Sequence, residues 1–133
     1  MPYVRVGFSK PVLSPGDFAL PLSEGITDAI DDVLGEGHEP TVIQFNRTDP
    51  FFWSVNGQEV SEALPGIAAV EVFIVKGAMD SKQIESTISK IYEILNRVLS
   101  PLHEESYVLV HELPDNSWGY GGMPLSRRGD TGG

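Results

Sequence analysis

The sequence contains no cysteine, which excludes disulfide frameworks, thiolate catalysis and zinc sites with cysteine ligands. It is also poor in basic residues, because nine Lys and Arg stand against nineteen Asp and Glu and leave a formal net charge of −10. A charge of this sign repels phosphate backbones and anionic membrane surfaces, so we expect neither a nucleic acid nor a membrane as a partner. No apolar run reaches the roughly 18 residues of a membrane span, and the N-terminus lacks the apolar core of a signal peptide. We therefore expect a cytoplasmic protein.

What the sequence does contain is an internal repeat. From the first strand-like run onward, apolar residues of the two halves coincide at a shift of 66 residues, as Val42 does with Val108. One residue then drops out, and Trp53 coincides with Trp118 at a shift of 65. A nearly constant shift through strand-like, helix-like and turn-like stretches indicates two copies of one supersecondary unit.

Each half has the same order of predicted elements. Runs rich in β-branched and aromatic residues at 3–8 and 69–75, and again at 41–45 and 107–111, predict two strands per half. Between the strands, each half carries a capping-box pattern followed by apolar residues at helical spacing, which predicts one helix per half.

The two capping boxes lie at residues 14–17 and 80–83. In each, a capping side chain is followed three positions later by a side-chain acceptor. The first helix also contains Pro21, which costs roughly 3 kcal/mol in a helix interior. We therefore expect the first helix either to kink at Pro21 or to begin near Leu20.

These elements predict an α+β fold. Strands joined through a helix run parallel with a right-handed crossover, so two tandem β-α-β units form a four-stranded mixed sheet with both helices on one face. We expect a single domain over 1–126, with units at 1–66 and 67–126, and a flexible C-terminal tail over 127–133. The face of the sheet without helices retains apolar residues, which predicts an oligomer whose sheets pack inward.

Three features together resemble a known family. Met1-Pro2 is followed at once by a strand, the β-α-β unit is duplicated, and the closing segment 108–122 combines a strand with a hairpin that contains a tryptophan and glycines. The chain resembles the tautomerase superfamily, the group of 4-oxalocrotonate tautomerase, and its two-unit length is similar to the malonate semialdehyde decarboxylase and dehalogenase branches. The resemblance implies a homotrimer of fused units, no cofactor, and an N-terminal proline, exposed after loss of Met1, as the catalytic group.

The chemistry of Pro2 is consistent with that role. Removal of Met1 leaves a secondary amine that is fixed to a strand, and desolvation or nearby cations lower an amine pKa toward neutrality, where the amine is a usable base. Proline also fits the first position of an edge strand without any chemical role. The second unit begins with Ala68, which is internal and has no free amine, so each chain has at most one such site.

The resemblance also implies cations for a substrate carboxylate, and here the sequence departs from the family. Val12, Ala78, Thr41 and Tyr107 stand where the family has arginines. We expect the substrate to be bound instead by Lys76, which matches a basic position of the decarboxylase branch, with further contributions from Lys10, Trp118 and Tyr107.

For the two lysines the alternative is a solvated charge at a strand end, and for Trp118 it is an aromatic that covers the sheet. Glu39, or His38 beside it, lies near the position where the decarboxylase branch has a water-activating carboxylate. The three histidines show no ligand spacing, so we expect no metal. An arginine of the tail, Arg127 or Arg128, is a candidate to complete the site of a neighbouring chain.

The predicted function is that of a cofactor-independent tautomerase, an isomerase that acts on a small anionic keto–enol acid with Pro2 as general base. One alternative is a decarboxylase or hydratase of a 3-oxo or unsaturated acid that uses the same proline. The other is a non-catalytic trimeric member of the family, for which the missing arginines would be the sign of lost activity.

Overall fold

A computed structural model describes residues 2–9, 18–35, 37–60 and 66–131 of the chain. Two β-α-β units follow one another, each ending in a two-stranded hairpin, and a short 3-10 helix over Leu125–Thr131 comes last. The elements are β1 (Tyr3–Phe8), α1 (Ala19–Leu34), β2 (Val42–Arg47), β3 (Ser54–Val55), β4 (Gln58–Glu59), β5 (Ala68–Val75), α2 (Ser81–Val98), β6 (Tyr107–Leu113), β7 (Gly119–Tyr120) and β8 (Met123–Pro124).

The four long strands form one mixed sheet in the order β2-β1-β5-β6. Within each unit the two strands are parallel, and the units join where β1 pairs antiparallel with β5. The predicted α+β fold class is thereby confirmed. Because the pairing at the centre is antiparallel, each end of the sheet has the starts of one unit's strands and the ends of the other unit's strands. At one end β1 and β2 begin and β5 and β6 end, and we call this the Pro2 end.

The core lies between this sheet and the two helices. Alternate residues of β1 and β5 face the helices and are fully buried, because a period of two sends them to the same side of the sheet. The helices contribute apolar stripes at three- and four-residue spacing. The largest fully buried side chains are Phe8, Leu22, Ile26, Ile30, Ile74, Ile91, Leu95, Leu99, Val4, Val6, Val70 and Val72.

The second helix begins as the sequence predicts. The Asp80 side chain accepts from the Gln83 amide at 2.8 Å, and the Gln83 side chain accepts from the Asp80 amide at 2.9 Å, which completes the capping box. The first helix begins at Ala19, so Pro21 lies in its first turn, where backbone N–H groups have no partner within the helix. The predicted box at 14–17 lies outside the described residues.

The repeat is confirmed in three dimensions, with its missing residue earlier than the sequence alignment predicted. Val42 pairs with Tyr3, and Tyr107 pairs with Ala69. Because Tyr3 and Ala69 correspond at the shift of 66, Val42 corresponds to Tyr107, at a shift of 65. Val108 instead faces the helices, as Ile43 does. The deletion therefore precedes the second strand, and Thr41 corresponds to Ser106.

The two hairpins close in the same way. The Val60 amide donates to the Trp53 carbonyl at 3.1 Å, and the Leu125 amide donates to the Trp118 carbonyl at 3.0 Å. Trp53 and Trp118 correspond at a shift of 65, and so do Val60 and Leu125. The predicted tail starts inside the final 3-10 helix, and its flexibility stays a prediction.

The face of the sheet opposite the helices carries a polar and aromatic array. Phe73 stacks between Tyr3 and His111 at ring-centroid distances of 5.4 and 4.5 Å. Glu71 lies 3.6 Å from the Arg5 guanidinium and 3.3 Å from His111 Nε2. Apolar side chains are exposed around this array, at Val42, Tyr107 and Leu109. Neither helix is long and apolar enough to cross a bilayer, as judged on the described part of the chain.

Candidate active site

Pro2 lies immediately before the central strand β1 and is buried. Its carbonyl accepts a hydrogen bond from the Val42 amide at 3.1 Å, so the proline is joined to the start of β2. On the other side, the β1–β5 register continued by one residue sets Pro2 level with Ile74. Burial at this position disfavours the charged form of an amine.

The closing hairpin crosses the Pro2 end of the sheet. Strand β6 ends at one edge of the sheet, and Glu39 precedes β2 at the other edge. The Tyr120 hydroxyl nevertheless donates to Glu39 Oε1 at 3.1 Å. The chain between β6 and Tyr120, which includes Trp118, therefore passes over the ends of β5 and β1. Pro2 is buried at this end of the sheet.

Trp118 is half-buried, and its indole Nε1 is buried without a hydrogen-bond partner among the described residues. A buried indole N–H is usually paired, because an unpaired donor away from water costs free energy. The Trp118 N–H therefore lacks an acceptor among the described residues at this end of the sheet. The segment that contains this tryptophan also crosses the end of the sheet, and its role in substrate binding stays a prediction.

Lys76 is exposed and directly follows β5. Its amide donates to the Leu113 carbonyl at 2.8 Å, which fixes the backbone at the end of β6. Lys76 is two residues beyond Ile74, so its Cα lies roughly 7 Å along the strand direction from the level of Pro2. A flexible four-carbon stem can carry the ammonium group across this distance.

Glu39 is held from two directions. Its backbone carbonyl accepts from His38 Nδ1 at 2.6 Å, and the His38 ring also contacts the Asp31 carboxylate at the end of α1. Its side chain accepts from Tyr120, whose ring lies 4.1 Å below the Arg128 guanidinium in a cation–π contact. Sequence reasoning missed Tyr120 and expected Arg128 in a flexible tail, because no local pattern records a contact across the sheet.

Two predicted residues do not join this group. Tyr107 begins β6 level with Ala69, at the opposite end of the sheet, so one chain cannot bring it to Pro2. Lys10 lies outside the described residues, as does Val12. Among the residues that the structure describes, no group of three or more His, Asp or Glu side chains is arranged to hold a metal ion.

A cavity of about 230 Å³ lies at the opposite end of the sheet rather than at Pro2. Trp53, the counterpart of Trp118, forms one wall and approaches Gly7. Ala69, on β5, lines the floor. The cavity is thus the first unit's counterpart of the Pro2 end, without a terminal amine.

No protein-family model and no curated protein matches this sequence. Solved structures match it along nearly its whole length. Pt0534 inactivated by 2-oxo-3-pentynoate is 16% identical, with 96% of this chain and 98% of that chain covered and a TM-score of 0.81. The F6 fused 4-OT wild type, an asymmetric trimer, is 19% identical over 96% and 98%, with a TM-score of 0.80. FG41 malonate semialdehyde decarboxylase inhibited by 3-bromopropiolate is 15% identical over 96% of each chain, with a TM-score of 0.72.

TM-scores of 0.72 to 0.81 establish a common fold for these chains. The likeness includes both β-α-β units, because nearly the full length of each chain is covered. It agrees with the sheet order, the duplication and the placement of both helices on one face. The chain therefore has the fold of the tautomerase superfamily, in the fused form in which one chain carries two β-α-β units.

Proposed function

We propose that this protein is a cofactor-independent tautomerase of small keto–enol acids, with the Pro2 amine as its general base. The observation that carries the proposal is the burial of Pro2 at the start of the central strand, beneath the closing hairpin. After loss of Met1, Pro2 has a secondary amine whose neutral form is favoured by desolvation. A base with a pKa near neutrality is half deprotonated at working pH, which suits proton transfer.

In this mechanism the neutral amine takes the hydroxyl proton of the enol, and the electron pair of the O–H bond forms the ketone while carbon receives a proton. The protonated amine supplies the carbon proton, so one nitrogen serves both steps and no net proton is consumed. Lys76 binds the substrate carboxylate, and the Trp118 ring lowers the local dielectric constant. Both residues flank the Pro2 end, which supports these roles.

We also propose that the protein is a homotrimer. Val42, Tyr107 and Leu109 are exposed on the sheet face opposite the helices, and packing three such faces around an axis would bury them. The similar F6 fused 4-OT is a trimer, which supports this assembly. A neighbouring chain would then be the source of Tyr107 for each site, since Tyr107 lies far from Pro2 of its own chain.

A decarboxylase or hydratase is the second candidate, and Glu39 favours it. Its carboxylate lies at the Pro2 end and accepts from Tyr120, so it is held where it could act on a water molecule. Structural likeness to malonate semialdehyde decarboxylase supports the same candidate. A non-catalytic trimer is the third, because neither Thr41 nor Ala78 supplies the charge of an arginine.

Intact-mass measurement is the first test, since an enzyme of this kind must have lost Met1. Ultraviolet assays of enol-to-keto conversion with phenylenolpyruvate and 2-hydroxymuconate then test the tautomerase, and proton NMR of malonate semialdehyde tests the decarboxylase. We expect conversion of at least one enol and its loss in Pro2→Ala, because alanine's primary amine is neither ring-fixed nor as basic. Full activity in Pro2→Ala would refute the mechanism, and inactivity on all substrates with Met1 absent would favour the non-catalytic trimer.

A further inference from the structure

Among the described residues, one hydrogen bond of the second unit has no counterpart in the first unit. In the second unit, Ser106 precedes β6 and Ala68 opens β5, and the buried Ser106 Oγ accepts from the Ala68 amide at 3.0 Å. Register makes Thr41 the counterpart of Ser106 and Pro2 the counterpart of Ala68. The first unit therefore has a hydroxyl at the same place beside a proline nitrogen.

Thr41 Oγ1 is buried and has no hydrogen-bond partner among the described residues. Such a group is costly unless it is paired, so an unpaired one requires an explanation. The neighbouring contact is intact, because the Val42 amide donates to the Pro2 carbonyl at 3.1 Å. What the first unit lacks is only a donor hydrogen, since a proline nitrogen acylated by Met1 carries none.

Loss of Met1 supplies that hydrogen. The free proline nitrogen has one N–H when neutral and two when protonated. We propose that Thr41 is a positioning residue for the Pro2 amine, whose N–H donates to Thr41 Oγ1 as the Ala68 amide donates to Ser106 Oγ. The inference rests on the proposed function for the removal of Met1, and it adds a residue that the tautomerase assignment does not require.

The hydrogen bond has a defined consequence for catalysis. A neutral pyrrolidine nitrogen inverts rapidly, so its N–H and its lone pair exchange positions. Donation to Thr41 selects one of the two arrangements and directs the lone pair away from β2. An oriented base is more effective than a freely inverting one.

The same contact affects the pKa of the amine. A hydrogen bond from a charged donor is stronger than one from a neutral donor, so Thr41 favours the protonated amine and raises its pKa. Other ionisable groups at this end are Glu39 and His38 before β2, Lys76 after β5, Glu112 in β6, Tyr120 in β7 and Arg128 in the final helix. They are unchanged in a variant of Thr41, so a comparison of variants isolates the hydroxyl.

The test is a 15N NMR titration of protein labelled with 15N-proline. Only a terminal proline has an ionisable nitrogen, so Pro2 alone among the ten prolines titrates. We expect Thr41→Val to lower the pKa of the Pro2 amine by about 0.5 to 1, and Thr41→Ser to keep the native value. Thr48→Val, at the other end of β2, is the matched control and leaves that pKa unchanged. Thr41→Ala replaces the valine variant if valine does not fit.

Kinetics supply a second readout. With an enol substrate we expect Thr41→Val to lower kcat about three- to tenfold with little change in KM, and Thr41→Ser to restore kcat. A native pKa in both Thr41→Val and Thr41→Ala overturns the inference even if the enzyme is a Pro2-dependent tautomerase. A lowered pKa in a protein without turnover upholds the hydrogen bond and refutes the proposed function. A protein in which no proline nitrogen titrates refutes both.

Discussion

The Tyr120 hydroxyl donates to Glu39 Oε1 at 3.1 Å, which joins residues 81 positions apart in the chain, one after the edge strand β6 and the other before the opposite edge strand β2. This bond fastens the closing hairpin over Pro2. The Arg128 guanidinium packs over the face of the Tyr120 ring and joins the final helix to the same hairpin. The cover of the Pro2 end thus depends on one tyrosine with two partners.

Removal of the Tyr120 hydroxyl should weaken the attachment of the closing hairpin to the Pro2 end of the sheet. We expect Tyr120→Phe to reduce the free energy of unfolding by about 1 to 2 kcal/mol, because a half-buried carboxylate loses a donor while the ring contact is kept. Urea denaturation at a fixed protein concentration measures the change. Tyr92→Phe on α2 is the control, since the described residues offer its hydroxyl no hydrogen bond. Equal stability of Tyr120→Phe and the native protein would contradict the role of the bond.

A second substitution acts on the hairpin backbone. A Cβ at Gly119 would lie 2.0 Å from the Met123 carbonyl oxygen, so Gly119→Ala must spread the two strands. We expect a loss of about 1 to 3 kcal/mol in stability and a changed environment of Trp118, measured by denaturation and tryptophan fluorescence. Ser54, the counterpart in the first hairpin, already has a Cβ, and Ser54→Ala should change stability by less than about 0.5 kcal/mol. Native-like fluorescence in Gly119→Ala would show that the hairpin tolerates the methyl group.

Lys76→Ala tests the carboxylate-binding role. If the ammonium holds the carboxylate equally in the ground and transition states, KM should rise about tenfold while kcat stays close to native. Lys76→Arg should recover most of the affinity, and Lys82→Ala, an exposed lysine in the first turn of α2, should have no effect. An unchanged KM would move the search for the cation to Lys10, Arg47 and the tail arginines.

A substitution on the sheet face opposite the helices tests the proposed homotrimer. Leu109 is 41% exposed and lies level with Glu71 in the sheet. A single chain can therefore accommodate a lysine at position 109. In a trimer three such lysines would be brought together on the inner faces and would repel one another. We expect light scattering to give three times 14.5 kDa for the native protein and a smaller mass for Leu109→Lys, with Leu20→Lys on α1 as control. A native mass near 14.5 kDa would overturn the trimer.

The loop before β6 offers a test by titration. A hydrogen bond from His103 Nδ1 at 2.8 Å lowers the pKa of Glu105, an exposed residue. A lowered folded-state pKa adds stability above the unfolded pKa, and this contribution is lost as the pH falls through the folded value. Carboxyl NMR should find that Glu105 titrates below its ordinary value, and that His103→Ala restores it. The same titration in both proteins would exclude the bond in solution.

Local sequence patterns predicted much of the fold. Strand β1 has the predicted bounds, and the capping box of Asp80 and Gln83 starts α2 as expected. Local patterns suffice here, because strand alternation and capping involve residues only two or three positions apart. The alignment of the second strands was off by one residue, since a shift of one changes the face of every side chain and only the paired register reveals it.

The sequence by itself determined the duplicated β-α-β order, the single proline at the start of a strand and the absence of its counterpart at Ala68. The tertiary structure decided which side chains meet at Pro2. It brought Thr41, Glu39 and Tyr120 to that end and left Tyr107 at the other end of the sheet. The physical reason is that these contacts join residues far apart in the chain. Their geometry follows from strand order, register and the path of the hairpin, which no short window of sequence contains.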